Sequence, residues 1–128
     1  MYGGASFQFV RFIDLTIPTT TVYVSLIQHW EEIMPKGYLV ANIRVNDQEA
    51  FKKFSETAVP LISKYGGKIL ARGPHADRHE GNVSGIVTLL EFESKQAVEK
   101  FYLSDDYQAA KAIRDQGCDT DLMIIEGM

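Results

Sequence analysis

The stretch Gly37-Tyr38-Leu39-Val40-Ala41-Asn42-Ile43-Arg44-Val45-Asn46-Asp47 decides the fold. Leu39, Ala41, Ile43 and Val45 are apolar at every second position, and Asn42 and Arg44 lie between them. Side chains of an extended strand alternate sides, so this is a half-buried strand with two usable faces. Asn46 or Asp47 can then cap a helix by accepting a hydrogen bond from one of its unpaired N–H groups. Ala50, Phe51, Phe54, Ala58, Leu61 and Ile62 follow at near-helical spacing. Pro60 is expected to kink or briefly break this helix, because it lacks an N–H and crowds the preceding turn. Gly66-Gly67 ends it, since glycine tolerates the left-handed conformation of a helix terminus.

Reading onward, Lys68 to Arg72 is a short strand broken by Gly73-Pro74, and His75 to Asn82 is a polar loop. Val83 to Phe92 reads as the longest apolar strand, which places it centrally. Ser94 caps a second helix carrying Ala97, Val98, Phe101 and Tyr102. Ser104-Asp105-Asp106 is a fresh cap, so this helix restarts and runs to Asp115, where Gly117 stops it. Asp121 to Glu126 is the last strand. The order β-α-β-β-α-β is the ferredoxin-like, split βαβ arrangement of the α+β class. It predicts a four-stranded antiparallel sheet with both helices on one face. Val40, Leu70, Val87 and Leu89 fall on the other face if strand parity holds. Leaving them in water costs roughly 25 cal/mol per Å². A twofold copy of the chain would cover them, so a homodimer is expected.

Residues 1–33 read differently. Their only charges are Arg11, Asp14, Glu31 and Glu32, and Thr19-Thr20-Thr21-Val22-Tyr23-Val24 favours strand over helix. Met34-Pro35 looks like a start, so this segment is expected to be an appended leader, with extra strands covering a sheet edge as the rival reading. Residues 34–128 form the domain. Arg11 and Asp14 interrupt the apolar stretch that a signal peptide needs. A net charge of −4, with basic residues beside acids, lacks the footprint of a nucleic-acid binder. No apolar run approaches the roughly 20 residues of a membrane span. The lone Cys118 excludes an internal disulfide. These features point to the cytoplasm, with no nucleic-acid or membrane partner.

Several phrases carry a family resemblance: Gly37-Tyr38-Leu39-Val40-Ala41, Lys64-Tyr65-Gly66-Gly67-Lys68-Ile69-Leu70-Ala71-Arg72-Gly73 and Glu80-Gly81. Leu90-Glu91-Phe92-x-Ser94, Phe101-Tyr102-x-Ser104, Tyr107-Gln108-Ala109-Ala110 and Ile113-Arg114 continue it in order. From Met34 to Met128 the chain resembles domain-of-unknown-function family 1330. The resemblance implies a dimeric α+β barrel, in which two ferredoxin-like sheets pack face to face and enclose a cavity. Relatives in that superfamily include cofactor-free monooxygenases, lactone isomerases and haem-using enzymes. Ile86 stands where the family often has a basic residue, which weakens any anion site built there. Glu93 stands in place of the proline of a Phe-Pro-Ser phrase.

Among candidate site residues Arg72 comes first. It ends a strand before Gly-Pro, so its guanidinium could grip a carboxylate in bidentate fashion, or form an ion pair with Glu91. Glu91 ends an apolar run; a desolvated carboxylate there could act as a base, or pair with Arg72 or Arg114. Asn42 and Arg44 lie opposite the main core, and either line a cavity between subunits or bond across the dimer. Tyr38 and Tyr107 are ligand contacts or core residues with one polar tip satisfied. His75 and His79, with Asp77 and Glu80, have ligand spacing only on a helix, whereas Gly73-Pro74 and Gly81 indicate a loop. That loop is a solvated segment or a lid carrying His79 as base. With that loop context and no Cys nearby, no metal is expected; no glycine-rich phosphate loop precedes a helix, and no cofactor is expected. The functional expectation is a cavity for a small organic, acidic molecule. A cofactor-free oxygenase or isomerase and a non-enzymatic sensor or dimerisation module are the alternatives.

Overall fold

A computed structural model describes residues 34–128. The leader and extra-strand readings of residues 1–33 lie outside the described residues. Alternation in the first strand, β1 (Gly37–Val45), buries Leu39, Ala41 and Ile43 on one side of the sheet. Asp47 caps α1 (Gln48–Lys64) by accepting from the Glu49 N–H at 2.9 Å. Gly66, with φ of 82°, turns the chain after this helix. Then follow β2 (Lys68–Gly73), β3 (Ile86–Phe92), α2 (Lys95–Leu103), α3 (Asp105–Asp115) and β4 (Cys118–Glu126). Ser94 and Ser104 cap α2 and α3 through their hydroxyls, each at 3.1 Å from an N–H. The sheet order is β2-β3-β1-β4, with every pairing antiparallel.

The helices cover one face. Helix α1 contributes Ala50, Phe54, Ala58 and Ile62, an i, i+4 stripe. Phe54 meets Tyr107 of α3 edge-on at 6.4 Å, and Phe101 of α2 lies 5.1 Å from Phe92 of β3. Burying each of these large side chains stabilises the domain by roughly 1.5–3 kcal/mol.

Four sequence readings need correction. Pro60 does not break α1, which runs on to Lys64. Pro60 is exposed, so water can serve the carbonyl its missing N–H leaves unpaired. The third strand starts at Ile86, not Val83, and with seven residues is shorter than β1 and β4. Gly85, at φ of 117°, leaves the extended conformation there. A Cβ at Gly85 would sit 2.5 Å from the Ile43 carbonyl oxygen, so the close approach also needs glycine. Strand β4 begins at Cys118, because the ladder with β1 extends to Val45↔Cys118. Parity also fails in β2. Ile69 pairs with Leu90 and Ala71 with Leu89, so Leu70 is the extra residue of a β-bulge.

Candidate functional site

The bulge at Leu70 sets the site. Regular alternation would put Ile69 and Arg72 on opposite sides of the sheet. With one extra residue between them, Arg72 pairs with Thr88 and faces the helices, as Ile69 does. Both then line a cavity of about 60 Å³ between the sheet, α1 and α3. Its walls are largely apolar, from Leu39, Ala41, Phe54, Ile62 and Leu90. The mouth is rimmed by exposed Arg72, Val59 and Ile69 with half-buried Phe51 and Ser55. Arg72 Nη2 donates weakly to Ser55 Oγ at 3.4 Å, and its guanidinium lies 5.8 Å from the Phe51 ring centre.

The inner end is different. Arg114 is only 3% exposed, yet it lines the same cavity. Its Nη1 donates to Tyr107 Oη at 2.8 Å, and its guanidinium stacks over the Phe54 ring at 5.3 Å. Its Nε is buried with no hydrogen-bond partner among the described residues. The nearest carboxylate, Asp115 Oδ1, is 3.4 Å from Nη2, and Asp115 is held by Lys111 at 2.8 Å. Burial pushes the Tyr107 phenol above its ordinary pKa, while the Arg114 charge and hydrogen bond pull it back. The cavity is therefore apolar in its walls and cationic at both ends.

The other candidates lie elsewhere. Glu91 does not pair with Arg72 or Arg114. The bulge puts Arg72 on the helix side, and Glu91 bonds instead to Tyr38 Oη at 3.0 Å and Lys68 Nζ at 3.5 Å. That hydrogen bond to Glu91, first among its causes, raises the Tyr38 pKa. Tyr38, Asn42 and Arg44 share the sheet face away from the helices and do not line this cavity. Asn42 Nδ2 donates to the Ser84 carbonyl, and Arg44 pairs with Asp121 at 3.1 Å. His79 is exposed in the loop between β2 and β3 and is not among the cavity residues. Among the described residues no three His, Cys, Asp or Glu side chains gather where they could share a metal ion. Cys118 is a buried free thiol whose pKa burial pushes up, so it is a poor nucleophile.

The residue that sequence reasoning passed over as a ligand contact is Arg114. Its signal was available: Tyr107, Ala110 and Arg114 form the buried stripe of α3, and a charged residue on such a stripe is out of place.

Fold and site together define a ferredoxin-like α+β domain with a cavity between its sheet and its helices. Residues 36–128 match the family described as "Domain of unknown function (DUF1330)", and the chain belongs to that family. No curated protein matches the chain. Among solved structures, a protein of unknown function from Rhodopseudomonas palustris is similar, with 17% identity and a TM-score of 0.60, over 88% of this chain and 95% of that one. A dimeric ferredoxin-like protein of unknown function from Jannaschia sp. is 16% identical, with a TM-score of 0.55, over 71% and 98%. The cofactor-independent oxygenase SnoaB from Streptomyces nogalater is 7% identical, with a TM-score of 0.56, over 73% and 94%. At these identities the likeness is one of fold.

Proposed function

We propose that the chain forms a homodimer in which each protomer binds a small organic acid between its sheet and its helices. The observation that carries the binding half is the apolar cavity that runs from Arg72 at its mouth to buried Arg114. Apolar walls with a few convergent polar groups are the usual form of a small-molecule site. The dimer half rests on the open sheet face, where Val40, Leu89 and Met123 stand side by side across three strands. Met123 is 62% exposed and Ile125 58%. Apolar groups in such a row favour a covering partner, and the Jannaschia neighbour is described as dimeric. Dimeric packing through this face is the α+β barrel arrangement, with Tyr38, Asn42 and Arg44 at the interface. We place the protein in the cytoplasm, in keeping with its single unpaired thiol. No described helix is long and apolar enough to cross a membrane.

A second reading is enzymatic, a cofactor-free oxygenase or isomerase. It is favoured by the Tyr107 phenol, which sits against a guanidinium at the cavity wall and could move a proton. SnoaB, described as a cofactor-independent oxygenase, lends it an analogy of fold alone. A ligand sensor would use the same cavity without turnover.

The test is a thermal-shift screen of the full chain with small carboxylic acids and phenols, repeated on Arg72→Ala. Acids should raise the melting temperature, and the shift should shrink in the variant. No shift across a broad panel would remove the binding reading. Loss of a hit compound over time, followed by chromatography, would separate the enzyme from the sensor.

A further inference from the structure

We infer that Arg114 and Tyr107 form an anion-holding floor, which takes the carboxylate of a short-chain acid whose chain extends toward Arg72. This rests on the binding reading above and goes beyond it by fixing which end of the ligand enters first. Three observations carry it. Arg114 is a buried cation, and a buried charge is costly unless it is paired and hydrogen-bonded. Its one carboxylate neighbour among the described residues, Asp115, is 46% exposed in its side chain, 3.4 Å away and shared with Lys111. Among the described residues the guanidinium thus has charge to spare, and its buried Nε donor has no partner.

The second observation is Tyr107. Its oxygen already accepts from Arg114 Nη1, and its own proton has no acceptor among the described residues. An anionic oxygen lodged here would accept from both the phenol and the guanidinium. Hydrogen bonds to an ionised group are shorter and stronger than neutral ones.

Size supplies the third. The cavity measures about 60 Å³. A cavity that admits benzene measures about 150 Å³. The space therefore takes little more than the carboxylate group itself. A longer or branched remainder lies at the mouth, against Phe51, Val59 and Arg72.

The experiment uses the full chain and two probes of nearly equal shape, butyrate and butyramide, titrated near neutral pH and followed by protein NMR shifts. Butyrate should bind about tenfold or more tightly than the neutral amide. Tyr107→Phe keeps the ring and removes only the hydroxyl; it should lower butyrate affinity several-fold and leave butyramide nearly unchanged. Arg114→Lys keeps the charge and removes Nε and the fork, and should abolish most of the preference. Should Arg114→Lys fail to fold, Tyr107→Phe and the acid–amide comparison still decide the matter. Equal binding of acid and amide would overturn the inference while leaving the cavity a ligand site, its floor satisfied by water. Preference lost in Arg72→Ala but kept in Tyr107→Phe would place the carboxylate at the mouth and overturn it as well. Binding of neither probe would overturn this inference alone, provided that larger acids still bind. If those fail too, the parent reading falls with it.

Discussion

The two faces of one sheet make opposite uses of the same alternation. Toward the helices, Leu39, Ala41, Ile43, Leu90 and Phe92 are almost wholly buried, and the chain itself supplies their cover. Away from the helices, Val40, Leu89, Met123 and Ile125 keep partial or full access to solvent, bordered by Glu91, Arg44 and Asp121. The covered face is complete within one chain except for its small cavity. At that cavity the buried Arg114 Nε has no hydrogen-bond partner among the described residues. The open face holds ion pairs already made, such as Arg44 with Asp121 and Lys68 with Glu91. The cavity's unpaired donor thus lies on one side and most of the exposed apolar surface on the other, where Asn42 Oδ1 is also unpaired among the described residues. On this reading, one side is for a ligand and the other for a partner.

The widest separation between the faces comes from truncating one apolar residue on each. Phe92→Ala removes a ring that is 1% exposed and should cost about 3–5 kcal/mol in chemical denaturation. Met123→Ala on the open face should cost a separated protomer less than about 0.5 kcal/mol, while weakening association. Comparable losses from both at dilutions where the chain is monomeric would erase the distinction.

A smaller effect concerns the cavity floor. Tyr107 has a folded-state pKa raised above its ordinary value, chiefly by burial. Stability from a raised pKa is fully present below the ordinary tyrosine value, near 10, and is lost as pH climbs through the folded value. Denaturation followed into the alkaline range should therefore show a steeper loss for the native chain than for Tyr107→Phe. Parallel curves would mean that the phenol is as free to ionise in the fold as in water.

The smallest effect tests whether Arg114 is balanced from outside. Were Asp115 its true counter-ion, Asp115→Asn would break a buried pair at about 3–5 kcal/mol. The expected loss is under about 1 kcal/mol, because Asp115 is half-exposed and bound first to Lys111. Its pKa is lowered by that Lys111 hydrogen bond, so its contribution is present above the ordinary carboxylate range and fades as pH falls through the folded value. Urea midpoints measured at neutral and acid pH would reveal both.

Much of this was legible in residues alone. The alternation of Leu39, Ala41 and Ile43 and the caps at Asp47, Ser94 and Ser104 are local, and local rules place them. What depended on pairing was not. Leu70 carries no mark of a bulge; the extra residue is visible only against its partners Leu89 and Leu90. That slip reassigned Arg72 to the covered face and separated it from Glu91. Asp119 and Asp121 have weak strand preference, yet the ladder with β1 recruits them. Val83 to Gly85 look extended, but the positive φ of Gly85 and its carbonyl bond to Arg78 at 2.8 Å keep them in the loop. Arg114 was legible in principle, as a charge on a buried helical stripe.

Whether the open face is a contact surface is most directly settled by sedimentation equilibrium on the full chain and on Val40→Asp at micromolar concentration. The account predicts twice the 14.4 kDa chain mass for the native protein and the single-chain mass for the variant, with the variant still folded. A native protein that sediments as one chain, or a variant that keeps the doubled mass, would contradict it.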